Sequence, residues 1–113
     1  MAYDERLAAR VREAVAVRAD VTERKMFGGI AWMLGGNMAV GVRGEELIVR
    51  VEPEEHERVL LLDGVRPFDM GTRTAKGFIL VAPDQVADDE GLGSWIDTGA
   101  DYAATLPPKR KPA

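Results

Sequence analysis

The side chains with the clearest chemical potential surround the single histidine. His56 lies in the run EEHE, and imidazole together with carboxylates is a common ligand set for zinc. Adjacent residues on a helix point in different directions, so the neighbours that can share a face with His56 are Glu52, Val59 and Leu60. One carboxylate and one imidazole make a poor metal site. We therefore expect His56 to lie in a solvated helix start and expect no metal site.

Two further groups have catalytic residue types without the arrangement that catalysis needs. Asp88, Asp89 and Glu90 are adjacent carboxylates, of the kind used in acid/base catalysis, but helix capping and helix-dipole roles explain them more simply. Ser94 lies in GLGSW, which lacks the G-x-S-x-G spacing of a nucleophile elbow. The glycine pairs lack the residues that complete a phosphate-binding loop. We therefore predict no catalytic residue, no cofactor and no enzymatic activity.

Basic residues from strands and strand-flanking loops form a second group: Lys25, Arg43, Arg50, Arg66, Arg73 and Lys76. They would converge if the polar segment 69–76 folds over the sheet edge, and the surface would then contact an anion or a nucleic acid. Aromatic residues that could stack on bases are nearly absent, because Phe27 alone is expected near this group. The simpler alternative is that these residues are scattered, solvated charges.

Length and composition describe the domain that must position these residues. The 113 residues fit one domain, which we place over 1–108, followed by a disordered basic tail over 109–113. Cysteine is absent, which excludes disulfides and thiolate chemistry. No apolar run approaches the roughly 20 residues that span a bilayer, and there is no apolar signal segment. We therefore expect a cytoplasmic protein without a membrane partner. The net charge of −4 disfavours broad binding to phosphate backbones but leaves a local basic patch open.

The stretch 25–51 organises the predicted fold. Its apolar runs are separated by the turn signals Gly35-Gly36 and Gly44-Glu45, which predicts a three-stranded antiparallel meander. Gly28-Gly29 inside the first run predicts a bulge or the close approach of another backbone, and we favour a packed helix there. Periodicity predicts the remaining elements: helices over 4–19, 53–62 and about 89–106, and strands over 65–68, at a sheet edge, and 77–82.

The order helix–three strands–helix–two strands–helix predicts an α+β fold, a two-layer sandwich with one antiparallel five-stranded sheet. The helices are expected mainly on one face of the sheet. The other face carries Phe27, Met33, Arg43, Ile48 and Arg50, a mixed set that suits self-association or partner binding. A partly solvated sheet face is the alternative.

The segment KMFGGIAWML-GG-NMAVGV-RGEELIVRV resembles the N-terminal domain of the TfoX/Sxy family, bacterial regulators of competence. The domain of that family has a strand of the form Glu-Leu-x-x-Arg-Val, and Glu46, Leu47, Arg50 and Val51 match it here. The later runs RPF, GF and LPP also look like stand-alone members of the family. The resemblance covers nearly the whole chain, and it implies an α+β sandwich with an antiparallel sheet.

The resemblance also supplies the functional prediction. Full-length TfoX-like proteins act in transcription alongside the cyclic-AMP receptor protein and carry a second domain. Because the resemblance to the first domain covers nearly the whole of these 113 residues, we expect a stand-alone domain of this type. No catalytic residues are attached to the family. We predict a non-enzymatic regulatory or protein-interaction module whose partner is the transcription machinery, another protein or a second copy of itself. The predicted contact residues are Phe27, Arg43, Arg50, Arg66, Arg73 and Lys76. The alternative prediction is a small nucleic-acid or anion-binding protein that uses the basic loop and tail.

Overall fold

The computed structural model describes residues 3–26, 28–70 and 73–109, with the backbone alone at 70 and 73–75. In this part of the chain six strands form one antiparallel sheet in the spatial order β1-β2-β3-β4-β6-β5. The strands are β1 Val21–Met26, β2 Gly29–Leu34, β3 Asn37–Arg43, β4 Glu46–Arg50, β5 Val65–Met70 and β6 Arg73–Val81. The helices are α1 Glu5–Val15, α2 His56–Val59 and α3 Asp89–Thr105, with 3-10 turns at Pro53–Glu55 and Pro83–Val86. Among the described residues, none of the helices combines the length and the hydropathy that a membrane span requires.

The α+β architecture with an antiparallel sheet is confirmed, but the sheet has one more strand than predicted. The extra strand is β1, and Gly28, with a φ of 72°, lies in the turn that leads into β2. The predicted first strand therefore corresponds to the end of β1, a turn and β2. Helix α1 ends at Val15 instead of near 19. The middle of β1 is exposed on both faces, so it lacks the apolar alternation by which strands are recognised.

The other turn signals give the structure that their residues predict. Gly35, Gly36 and Gly44 all have positive φ and connect β2 to β3 and β3 to β4. Strand β5 lies at the sheet edge, as expected of a strand that contains Pro67. The prediction of a polar loop over 69–76 was wrong in part, because β5 runs to Met70 and β6 begins at Arg73. Residues 71 and 72 lie outside the described residues.

Side-chain carboxylates start both long helices. Asp4 accepts hydrogen bonds from the backbone N–H groups of Arg6 and Leu7 at the start of α1. Asp88 accepts one from Gly91 N–H at the start of α3, which confirms a capping role for the first acid of the 88–90 group. Such caps satisfy donors that a helix start leaves without partners, and removing one costs about 1 kcal/mol.

The main core lies between the sheet and the two long helices. Cross-strand neighbours Ile30, Val42, Leu47 and Val81 share the sheet face that packs against these helices, which we call the helix face. The helices contribute buried residues to the same core: Leu7, Ala8, Val11 and Val15 from α1, and Leu92 and Ile96 from α3. Complete burial of one such branched side chain contributes about 1.5–3 kcal/mol.

Two glycines permit close backbone contacts in this layer. A Cβ at Gly29 would collide with the carbonyl oxygen of Val42 on β3. The predicted close approach at Gly28-Gly29 is therefore confirmed at Gly29, but a strand makes it and the expected helix does not. A Cβ at Gly99 on α3 would collide with the Ala39 carbonyl and lie 2.9 Å from Val40 Cγ1. Gly99 is thus the point at which a helix does press against the sheet.

The buried Trp32 indole is tied to a surface ion pair. Trp32 is 1% exposed, and its Nε1–H donates to Glu23 on the neighbouring strand at 2.9 Å. The same carboxylate accepts two hydrogen bonds from Arg12 of α1, at 2.7 and 3.1 Å. The hydrogen bonds from Arg12, and then that from Trp32, hold the pKa of Glu23 below its ordinary value against the opposing effect of burial. The three residues join α1 to the first hairpin.

A second ionic contact joins the segment after α1 to α3. Arg18 donates to Asp97 and to Asp101 at 2.7 Å each. These two carboxylates, Asp101 first, raise the pKa of Arg18. Since Asp97 and Asp101 are four residues apart, they lie on one side of the helix. Arg18 therefore ties the segment that follows α1 to α3.

Two alanine substitutions in α3 test the Gly99 contact. Gly99→Ala is expected to lower the free energy of unfolding by about 1–3 kcal/mol, because helix and strand must separate to admit a methyl group. Gly93→Ala is the matched control, since a Cβ there meets nothing within 4 Å, and it should raise stability by about 0.5–1 kcal/mol. Urea denaturation measures both. Equal effects of the two substitutions would contradict the packing described.

Glu23→Gln tests the Trp32 network through its pH dependence. Because the folded-state pKa of Glu23 is lowered, its stabilisation is complete above the ordinary glutamate pKa of about 4.3 and is lost as pH falls through the folded value. Near neutral pH the wild type should be the more stable protein by about 1 kcal/mol or less. The difference should shrink below about pH 4 in urea titrations from pH 7 to 3. A difference that stays constant over this range would rule out the assignment.

Candidate interaction surface

The sheet face away from the long helices, which we call the back face, carries a second apolar cluster. Its buried members are Ala31, Met33, Met38, Ile48, Phe68 and Leu80, with Met26 and Phe78 packed against them. All of these residues belong to strands, and among the described residues no helical side chain joins them. Met33 and Ile48, the apolar side chains predicted for this mixed face, are thus buried. Arginines form the outer part of the face.

Arg43 covers the ring of Phe68. Its guanidinium carbon lies 4.8 Å from the ring centre, within the range of a cation–π contact. One Nη1–H donates to the backbone oxygen of Asp69 at 3.2 Å. Arg43 is half-buried, and within the described part of the chain no carboxylate forms an ion pair with it. It is therefore a fixed cation with hydrogen-bond donors to spare.

Arg50 lies between the back face and the helix layer. Its guanidinium carbon is 5.1 Å from the ring centre of Phe78 on β6 and 5.9 Å from that of Tyr102 on α3. Nη1 also donates to the backbone oxygen of Met38 at 3.4 Å. Because these contacts come from a strand on either side and from a helix, Arg50 holds parts of the fold together as well as supplying charge.

Arg66 is paired with a carboxylate across the sheet. It lies on β5 and donates through Nε and Nη2 to the two oxygens of Glu46 on β4, with β6 between them. These hydrogen bonds raise the pKa of Arg66. The two charges offset each other, so Arg66 offers less to a partner than Arg43 does.

The structure describes only part of the remaining predicted contact residues. Phe27 and the Arg73 side chain lie outside what the structure describes, and Lys76 is exposed. Lys25 is the cross-strand neighbour of Ile30, a helix-face residue, so it lies on the opposite face from Arg43 and Arg50. The strand register places Arg43, Arg50 and Arg66 on the same sheet face as Ile48 and Leu80.

Sequence reasoning missed the aromatic partners of these arginines. The expectation that Phe27 alone lies near them was wrong, because Phe68, Phe78 and Tyr102 all contact a guanidinium group. The register between β4 and β6, which sets Arg50 opposite Phe78, was the missing information. The sequence carried one signal of these aromatic partners, because Phe68 and Phe78 flank the polar segment 69–76.

His56 is packed inside the fold, so the prediction of a solvated position was wrong. It is 7% exposed, and its Nε2 lies 3.3 Å from the backbone oxygen of Phe78 on β6. The 3-10 turn at Pro53–Glu55 brings the chain onto the sheet just before His56. Among the described residues, no group of three or more His, Cys, Asp and Glu side chains is arranged to hold a metal ion.

These features define a small α+β domain, with an antiparallel sheet covered by helices on one face and bearing arginine–aromatic contacts on the other. The family model of the TfoX N-terminal domain matches residues 4–103, and the chain belongs to that family. A search of curated proteins and a search of solved structures found no match.

Replacing each stacked arginine by methionine separates their structural roles. Arg50→Met should lower the free energy of unfolding by about 1–2 kcal/mol, because two rings and a backbone carbonyl lose a partly buried cation. Arg43→Met should cost about 0.5–1 kcal/mol, since its hydrogen bond is exposed and only one ring is involved. Chemical denaturation measures both values. A larger loss for Arg43→Met would reverse the assignment of Arg50 as the structural arginine.

Proposed function

We propose that this domain is a non-enzymatic regulatory module that acts by binding another protein through its back face, with Arg43 at the contact. The observation that carries the proposal is the guanidinium of Arg43, held against Phe68 without a carboxylate partner among the described residues. Membership of the TfoX N-terminal domain family supports a regulatory role. The resemblance to competence regulators favours the transcription machinery as the partner.

The chemistry of Arg43 suits protein recognition. Arginine and aromatic residues are enriched at the energetic centres of protein interfaces. A planar guanidinium already stacked on a ring loses little conformational freedom on binding, and its edge N–H groups match a carboxylate or a backbone carbonyl. The apolar cluster beneath it, including the fully buried Ile48 and Leu80, gives this contact a rigid base.

The distribution of charge favours one orientation of the partner. The exposed side chains at the starts of α2 and α3 are acidic, among them Glu54, Glu57, Asp89 and Glu90, whereas the back face presents arginines. A protein with an acidic patch would be attracted to the back face and repelled from these helix starts. The overall charge of −4 makes a protein partner a better fit than the phosphate backbone of DNA.

Charge reversal on either side of the sheet tests the proposal. Purified RNA polymerase and purified cyclic-AMP receptor protein are passed separately over the immobilised domain. Arg43→Glu should weaken binding to the partner at least about tenfold, or about 1.4 kcal/mol. Arg6→Glu is the control, because Arg6 is exposed on α1 and the substitution changes the net charge equally. Circular dichroism and the melting temperature verify that both variants are folded.

Two results would count against this function. Equal binding by the folded Arg43→Glu variant and the wild type would show that the back face is not the contact surface. If neither RNA polymerase nor the cyclic-AMP receptor protein bound, the transcription machinery would be excluded as the partner. A gel-shift assay with duplex DNA gives the alternative its own test. Tight binding by the wild type that falls steeply with salt would favour a nucleic-acid-binding protein instead.

A further inference from the structure

A cleft of about 300 Å³ lies between α2 and the C-terminal half of α3. Its floor includes Val51 and Val59, which are buried, and the half-buried Tyr102. Its rim consists of polar side chains: Glu52, Glu55, Arg58, Thr98, Asp101 and Thr105. The volume is at the lower end for a small-molecule site, and it suits one long side chain of a binding partner.

The two threonines of the rim offer hydrogen-bond acceptors while their own hydroxyl donors are in use. The Thr98 hydroxyl donates to the Ser94 carbonyl and the Thr105 hydroxyl to the Tyr102 carbonyl, so their free lone pairs remain as acceptors. Arg58 is paired with Glu55. A ligand that brings hydrogen-bond donors would therefore find acceptors on both threonines.

One carboxylate on this rim forms no ion pair among the described residues. Asp101 is paired with Arg18, and Glu55 with Arg58. Glu52 is exposed and forms no ion pair with any described residue. Its side chain also makes no capping hydrogen bond to the 3-10 turn that follows. The carboxylate of Glu52 is thus available to a cation from outside.

We infer that this cleft binds an arginine side chain in a basic segment of a partner protein. The aliphatic part of the side chain lies on Val51, Val59 and the Tyr102 ring, as long cationic side chains do on apolar surfaces. The guanidinium then reaches Glu52 and the threonine oxygens. Because the cleft selects the opposite charge from the back face, the inference goes beyond the proposed function and stands or fails separately from it.

The probe is the peptide acetyl-Ala-Arg-Arg-Ala-amide, titrated into the ¹⁵N-labelled domain and followed by NMR. The amides of Thr98, Tyr102 and Thr105 should shift and saturate. Glu52→Gln should weaken binding at least about threefold. Glu54→Gln is the matched control, since Glu54 is exposed in the same 3-10 turn, does not line the cleft, and loses the same charge. Its affinity should equal that of the wild type.

Three peptide and ligand comparisons decide the chemistry. The neutral citrulline analogue of the peptide and acetyl-Ala-Glu-Glu-Ala-amide should leave the three amides unshifted. Saturation by spermidine without any response to the arginine peptide would overturn the inference, because the site would then take a small polycation. Equal weakening by Glu52→Gln and Glu54→Gln, or shifts spread over all acidic surfaces, would overturn it as well, since general charge attraction would explain the binding.

Discussion

Gly99 allows α3 to lie against β3 at a distance that leaves no space for a side-chain carbon. Asp97 and Asp101 reach Arg18 on one side of α3, and Tyr102 reaches Arg50 on another. Since α3 has three glycines that lower its intrinsic helicity, packing must supply much of its stability. A small displacement of this helix would disturb both its ionic contact with Arg18 and its aromatic contact with Arg50.

Tyr102 links the two surfaces to which we assign binding. Its ring contacts the guanidinium of Arg50, which extends from the back face, and it also forms part of the cleft beside α2. Arg50 itself bonds to the backbone of β3. A partner that moved Arg50 would therefore change the surroundings of Tyr102. The two surfaces have opposite charge preferences, so one protein with both acidic and basic segments, or two proteins, could occupy them.

Local sequence signals predicted most of the helices, the central strands and their turns. Glycines with positive φ at 35, 36 and 44 were identifiable because few other residues tolerate that conformation. Strand β1 was missed because its middle is charged and exposed, so its only signal is its pairing with β2. His56 was misplaced because the direction of a short helix relative to the sheet depends on the preceding turn and not on periodicity.

The arginines of the back face were identifiable from the sequence, but their partners were not. Which residue stands opposite which depends on register, and the Arg50–Phe78 and Arg66–Glu46 contacts each join residues at least 20 positions apart. Tyr102 comes from a different layer altogether. The sequence shows which charged residues a strand carries, whereas the partner of each charge depends on the tertiary fold.

Both outermost strands of the sheet are protected against the addition of a further strand. In β1 the exposed middle contains Glu23, Arg24 and Lys25, and charges on an edge disfavour docking by a flat apolar strand. In β5 at the opposite edge, Pro67 lacks a backbone N–H and leaves a gap in any new hydrogen-bond ladder. Growth of the sheet from molecule to molecule, the usual route to fibrils, is therefore obstructed at both ends.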